Sequence, residues 1–248
     1  MDISFSILVF TALVFVLAGF VKGVIGLGLP TVSMGLLVLA TTPARAAALL
    51  VVPSLVTNVW QMVAGPSLWP LLRRLWPMMI GIGVGTWLGA GLLSISEADA
   101  ATTGLGVALV LYAVTGLTAV RFHVPARAER WLSPLVGAIT GAITAWTGVF
   151  VIPAVPYLQA IGLEKEDLVQ ALGLSFTIST LALTGVLAWT GAFAMSVAAG
   201  SLLAIAPALL GMAVGQWIRL RAQPQTFRRW FFIGLLLLGA HLASRGMF

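Results

Sequence analysis

The feature that most constrains this chain is a series of apolar runs, each about as long as a bilayer is thick. A transmembrane helix needs roughly 20 apolar residues, and runs of this length recur between clusters of turn-forming residues. They predict helices at about 4–23, 43–64, 75–94, 99–121, 165–190, 192–218 and 228–245. Because 60% of the residues are hydrophobic and 8% are charged, a water-soluble fold is excluded. The pattern predicts an all-α polytopic membrane protein with about 8 spanning helices in one transmembrane domain.

Composition excludes several classes of function. The spanning helices leave no room for a soluble catalytic or nucleic-acid-binding domain. The formal net charge of +6 comes from arginines between the apolar runs, where the positive-inside rule expects them, so we expect the lipid bilayer and not nucleic acid as their partner. The absence of cysteine excludes disulfides and thiolate sites, and no metal or cofactor is predicted. The start "MDISFSILVF" lacks the basic region of a cleaved signal peptide, so we expect its apolar run to remain as the first helix.

Two apolar regions contain breaks. Residues 24–42 are interrupted by "GLGLP", and residues 131–161 are interrupted by "LSP" and "WTGVFVIPAVP". Glycine and proline end helices, so we predict re-entrant, broken helical hairpins near 4–42 and 131–161. Unwound backbone is tolerated at membrane depth only where it is buried in protein or lines a cavity. A cavity and a kinked, packed helix are both open at this stage.

The two halves of the chain resemble each other. "GFVKG" at 19–23 matches "GAITG" at 137–141, and "WPMMIGIGVGTWL" matches "APALLGMAVGQWI", so that Pro77 aligns with Pro207. Between these anchors, "VVPSLVTN" at 51–58 falls against "GLSFTIST" at 173–180. We predict a duplication, with repeat 1 at 4–121, a linker at 122–130 and repeat 2 at 131–245. Many secondary transporters are built this way and place their substrate site at the repeat interface.

Loop charge predicts the orientation of the two halves. The basic loop at Arg73 corresponds to the uncharged turn "WTGAF", whereas the acidic "SEADA" corresponds to the basic stretch 219–229. If basic loops face the cytoplasm, the halves are inverted, each has an odd number of passes, and both termini lie outside. A plain eight-helix count would instead divide the positive charge between the two sides.

The stretch "GFVKGVIGLGLPTVSMGLL" followed by "PARAAALLVVPSLVTNVWQ" resembles the TauE/SafE sulfite-exporter family of bacterial membrane proteins, also called the toluene-sulfonate uptake (TSUP) family. The resemblance runs over nearly the whole chain. It implies a multi-pass transporter of the cytoplasmic (inner) membrane, usually an exporter, of small anions such as sulfite, sulfoacetate or other sulfonates. Members differ in substrate and in direction. The second half has "WTGVFVIP" where the first has "GLGLP", so the resemblance does not imply a symmetric site.

Lys22 is the most unusual residue in a predicted span. Inserting an ammonium at membrane depth costs about 2.5 to 3.5 kcal/mol, so such a lysine either extends to the headgroups or faces a cavity. In a cavity it would attract an anion, helped by the backbone N–H groups of the half-helix that begins near Gly28 and Pro30.

A polar stripe on the next helix supplies further candidates. The stripe consists of Ser54, Thr57, Asn58 and Gln61, which recur at helical spacing. Its counterparts in the second half are Gln170, Ser175, Ser179 and Thr180. Amides can bind sulfonate oxygens, although polar residues in membranes also form interhelical hydrogen bonds worth roughly 0.6 kcal/mol. The predicted substrate-binding residues are Lys22, Gly28, Pro30, Thr57, Asn58, Gln61, Gln170 and Ser175. Glycines spaced by four are predicted to pack helices closely, either within one chain or in a homodimer.

The lack of acidic residues at membrane depth limits the mechanisms that this chain could use. The seven acidic residues fall in a terminus, in loops or within the first three residues of a predicted span, so none is expected at membrane depth, which argues against a proton relay through intramembrane carboxylates. A channel-like facilitator, an importer of another organic anion and a structural partner of another membrane protein remain alternatives. An intramembrane enzyme would need Ser175 as nucleophile and His241 as its base, and we expect no enzymatic activity.

Overall fold

The computed structural model describes residues 5–95, 98–118, 123–193, 195–219, 221 and 224–245. Within these residues every regular element is a helix, which confirms the all-α prediction. The helices are α1 (Phe5–Ile25), α2 (Leu29–Leu37), α3 (Pro43–Val63), α4 (Leu68–Ile95), α5 (Ala98–Thr118), α6 (Ala126–Thr147), α7 (Ala154–Ala160), α8 (Lys165–Trp189), α9 (Met195–Leu203), α10 (Ile205–Arg219) and α11 (Pro224–Arg245).

Length and hydropathy identify the membrane spans. Five described stretches are long and apolar enough to cross a bilayer, namely Ser6–Ile25, Pro43–Val63, Asp99–Thr118, Lys165–Trp189 and Val197–Arg219. Helices α4, α6 and α11 have 28, 22 and 22 residues, which also suffices for a span. Each of these three packs along another long helix. The described chain is therefore a polytopic helical bundle, as predicted.

Prolines explain where the predicted helix starts were wrong. Helix α4 begins at Leu68 instead of 75, and α11 begins at Pro224 instead of 228. Pro70 and Pro224 lie in the first turns of these helices, where a backbone N–H has no intrahelical acceptor and its loss has no consequence. A proline in the first turn is thus part of the helix in both cases.

One predicted break does not exist. The stretch "LSP" was expected to interrupt the second broken region, but α6 runs without a break from Ala126 to Thr147 and contains Pro134. Proline removes a single hydrogen bond, and α6 packs closely on α4 at this point, where a Cβ added to Gly81 would lie 2.3 Å from the carbonyl oxygen of Pro134. The region breaks only after Thr147.

Two short helices follow the remaining breaks. Helix α2 has nine residues and α7 has seven, which is too short to cross a bilayer. The backbone unwinds at residues 26–28 and 148–153, the two places predicted from the glycines and prolines. Almost every residue of α2 is buried, so this half-helix lies inside the bundle and does not face lipid.

Glycines set the closest helix pairs. Cβ atoms added to Gly19 and Gly215 would lie 2.0 and 2.2 Å from backbone carbonyl oxygens across the α1–α10 contact, and one added to Gly85 would lie 2.0 Å from that of Ala138 across the α4–α6 contact. These glycines pack helices against each other as predicted. Helices α1 and α10 run parallel, and so do α4 and α6, whereas the pairs α3–α8 and α5–α11 are antiparallel.

Contacts also show which helix ends lie together. Arg74 at the start of α4 forms an ion pair with Glu129 at the start of α6. Far from there, a cavity of about 400 Å³ is lined by the α2–α3 connection, by Asp99 at the start of α5 and by Arg245 at the end of α11. Because α4 separates Arg74 from Asp99 by a span's length, these two sets of residues mark opposite ends of the bundle.

Candidate functional site

Lys22 lies in the last turn of α1, one turn before the break. Its side chain is only 4% exposed. The ammonium donates to the hydroxyl oxygen of Thr57 at 3.1 Å and to the Oδ1 of Asn58. It therefore points into the bundle, against α3, and does not extend to the headgroups.

The charge on Lys22 has no carboxylate partner. Among the described residues Lys22 is the one charged side chain that is buried, and the ion pair found there, between Arg74 and Glu129, lies at an end of the bundle. Burying a charge without an opposite charge is unfavourable. The two neutral acceptors solvate the ammonium but leave the site with a net positive charge.

A chain of hydrogen bonds leads from Lys22 into the second half of the protein. The Nδ2 of Asn58 donates to the hydroxyl oxygen of Thr180 at 3.4 Å, and Thr180 donates to the carbonyl oxygen of Phe176 at 2.7 Å. Thr180 was not among the predicted binding residues, although the repeat alignment pairs it with Asn58. The structure thus brings Lys22, Thr57 and Asn58 together where α3 meets α8.

Gln61 and Gln170 have different surroundings. The Nε2 of Gln61 donates to the carbonyl oxygens of Gly26 at 3.0 Å and Val169 at 2.9 Å, while its Oε1 is buried without a partner. Gln61 therefore ties the end of α1 to α8, close to Lys22.

Gln170 braces the connection between α3 and α4. Its Nε2 donates to the carbonyl oxygens of Met62 at 2.7 Å and Gly65 at 2.8 Å, and its Oε1 accepts from the N–H of Ser67 at 2.8 Å. Both of its N–H groups are thereby used by backbone.

Gly28 and Pro30 form the start of α2. Gly28 has φ of +112°, a conformation that favours glycine, and an added Cβ would lie 2.7 Å from Val21. Pro30 occupies the first turn of α2, where proline is favoured. The N-terminus of α2 carries partial positive charge. Residues 26–28 alone separate this N-terminus from the last turn of α1, which contains Lys22. The lysine and the helix N-terminus therefore both raise the electrostatic potential at the same break.

Several buried hydroxyl groups have no hydrogen-bond partner among the described residues. They belong to Ser54, Thr140, Ser175 and Ser179, each fully buried. Because Ser175 has no partner, no base contacts it, and His241 lies on an exposed position of α11. The geometry needed for a serine nucleophile is absent from this part of the structure.

The fold and the site define a polytopic membrane protein with a positively charged polar site inside its helical bundle. Residues 11–242 match the family described as Sulfite exporter TauE/SafE. Because the match covers nearly all of the 248 residues, the chain belongs to this family, and the resemblance predicted from its sequence motifs is confirmed. The protein is therefore a member of a membrane transporter family. Neither the curated proteins nor the solved structures contain a match to this chain.

Proposed function

We propose that this protein is a secondary transporter of the bacterial cytoplasmic membrane that exports small sulfur oxyanions or organosulfur anions, such as sulfite, sulfoacetate or other sulfonates. The observation that carries the proposal is the buried ammonium of Lys22, which has no carboxylate partner. An anion would neutralise the charge, and a lysine used for packing alone would be better replaced by an apolar residue of similar volume.

The neighbouring groups fit an anion with several oxygen atoms. An ammonium has three N–H donors, of which Thr57 and Asn58 accept two. The remaining donor and the N-terminus of α2 both favour negative charge. We assign Lys22, Thr57, Asn58, Gly28 and Pro30 to substrate binding or to its immediate support, and we assign Gln170 to bracing the α3–α4 connection.

We also propose that the halves are inverted repeats with the substrate between them. A two-fold axis in the membrane plane would carry the α1–α10 pair onto the α4–α6 pair. The helices of both pairs must therefore have the same relative direction, and in both pairs they are parallel. The same axis would map the α3–α8 and α5–α11 pairs onto themselves, which requires antiparallel helices. The observed directions agree with both requirements, and Asn58 meets its aligned counterpart Thr180. Transporters of this build alternate access around a site at the repeat interface, and the burial of Lys22 favours such a carrier over an open channel.

The test uses Lys22→Met, with Lys165→Met as its matched control. Lys165 is the chain's other lysine and is exposed at the start of α8. We expect Lys22→Met to weaken sulfite or sulfonate binding by roughly 30-fold or more and to abolish efflux from proteoliposomes. Its melting temperature should be unchanged or raised, because an uncompensated buried charge is lost. Lys165→Met should behave as wild type.

Calorimetry on purified protein and efflux of labelled sulfite check this. Wild-type affinity in Lys22→Met would place the substrate elsewhere, and an absence of anion binding by the wild type would contradict the proposed function itself.

A further inference from the structure

Three serine hydroxyls on α3 and α8 differ from the other hydroxyls of the same helices. Thr57, Thr177 and Thr180 each donate to a carbonyl oxygen of their own helix at 2.7 to 2.8 Å. Ser54, Ser175 and Ser179 are just as buried, yet their hydroxyls have no partner. Buried hydroxyl groups are nearly always hydrogen-bonded, so three partnerless ones on two neighbouring helices indicate that a ligand uses them.

The serines lie on the helices that form the Lys22 site. Ser54 is one helical turn before Asn58 and shares its face of α3. Ser179 directly precedes Thr180, which accepts from Asn58, and Ser175 is one turn before Ser179. Helices α3 and α8 are in close contact here, since a Cβ added to Gly173 would lie 2.6 Å from the backbone nitrogen of Met62.

The site has a single positive charge. The repeat alignment places Thr140 at the position of Lys22 in the second half, and Thr140 is also buried with a partnerless hydroxyl. The described residues supply no second buried cation. A bound anion would therefore meet one ammonium and several neutral O–H donors.

We propose, on the basis of the function proposed above, that this site selects singly charged anions and that Ser54, Ser175 and Ser179 bind their oxygens. One ammonium balances one negative charge, whereas a dianion would leave an uncompensated charge in a low-dielectric interior. The three serine hydroxyls can donate to the anion's oxygens but are neutral, so they add no positive charge that would balance a second negative one. Hydrogen sulfite and simple sulfonates are thus better substrates than sulfite or sulfoacetate as dianions.

Two pairs of anions test the charge selectivity on the purified wild-type protein. Methanesulfonate and sulfate share a tetrahedral head and differ by one negative charge, and sulfoacetamide and sulfoacetate differ in the same way at the other end of the molecule. Calorimetry at neutral pH should give affinities about tenfold or more higher for the singly charged member of each pair. Equal or tighter binding of the dianions would overturn the selectivity but leave anion transport intact. Binding of none of the four would overturn the proposed function.

The serines are tested with a control on the same helix. Ser54→Ala and Ser179→Ala should each weaken methanesulfonate binding by about tenfold. Thr177→Val removes a hydroxyl from α8 that already bonds to Gly173 and should leave the affinity unchanged. Alanine variants that melt as wild type and bind as tightly would show that the serines do not contact the anion. If an alanine variant is unstable, the cysteine variant at the same position keeps the shape and provides the comparison.

Discussion

The two helix breaks of this protein share a backbone design but differ in charge. At each break a long helix ends at a glycine with positive φ, Gly26 in the first half and Gly148 in the second, and a short buried helix follows. Each long helix also packs through glycines against a helix of the other half. The first break carries Lys22, whereas the aligned position in the second carries Thr140. The glycine packing is thus common to both halves, whereas the charge that would attract an anion lies in the first half.

The proposed inversion of the two halves predicts which loops face the cytoplasm, and cysteine labelling tests this with an all-or-none result. The chain has no cysteine, so Arg73→Cys and Arg221→Cys each introduce a single thiol at an exposed position. We expect an impermeant maleimide to label both from the cytoplasmic side only. Asp99→Cys, at the opposite end of the bundle, should be labelled only from outside. Labelling of Arg73→Cys and Arg221→Cys from opposite sides would disprove the inversion.

Because the two halves pack in the same way, substitutions of equivalent glycines should lower the free energy of unfolding equally in both. Added Cβ atoms would lie 2.0 Å from the carbonyl oxygen of Ala138 in Gly85→Ala and 2.2 Å from that of Phe20 in Gly215→Ala. We expect each variant to lose about 3 kcal/mol of unfolding free energy, measured by denaturation in detergent.

Gly83→Ala is the control for both. An added Cβ at Gly83 has no atom within 4 Å, and the aligned residue in the second half is already Ala213. This variant should be unchanged or more stable by up to about 1 kcal/mol. A large loss in Gly85→Ala beside none in Gly215→Ala would show that the two seams are not equivalent.

The sequence predicted the helices and the breaks well, because apolar length, glycine and proline act locally. Errors arose where tertiary packing overrides a local signal, as at Pro134, which α6 contains without breaking. The site was predicted in part. Lys22 and Asn58 stand out because polar side chains are expensive in a membrane. The spacing along one helix could not show that the Gln170 amide forms its hydrogen bonds with the backbone of the α3–α4 connection. It also could not show that the serine hydroxyls remain without partners. Both depend on which helices become neighbours.

The smallest difference concerns the two equivalent helix pairs, α4–α6 and α1–α10, and it is an ion pair. The guanidinium of Arg74 donates to both carboxylate oxygens of Glu129 at 2.6 and 2.9 Å, and to the carbonyl oxygen of Ile161 at 2.8 Å, joining the starts of α4 and α6 to the end of α7. In the repeat alignment the corresponding positions hold Ala204 and Thr11, which cannot form such a pair. Of these two helix pairs, as far as the described residues go, α4–α6 alone is held by an ion pair.

A double-mutant cycle of Arg74→Ala and Glu129→Ala measures how much this ion pair contributes to the free energy of unfolding. The two side chains are 39% and 16% exposed, so solvent screens their attraction, and we expect a coupling energy of about 1 kcal/mol or less that shrinks at high salt. Arg74→Lys should recover part of it, because an ammonium keeps the charge but cannot make the two-pronged contact. A zero coupling with unchanged efflux would mean that this ion pair contributes neither to stability nor to transport. A coupling together with faster efflux in Arg74→Ala would show that this ion pair holds one end of the transporter closed, a constraint that the α1–α10 pair lacks.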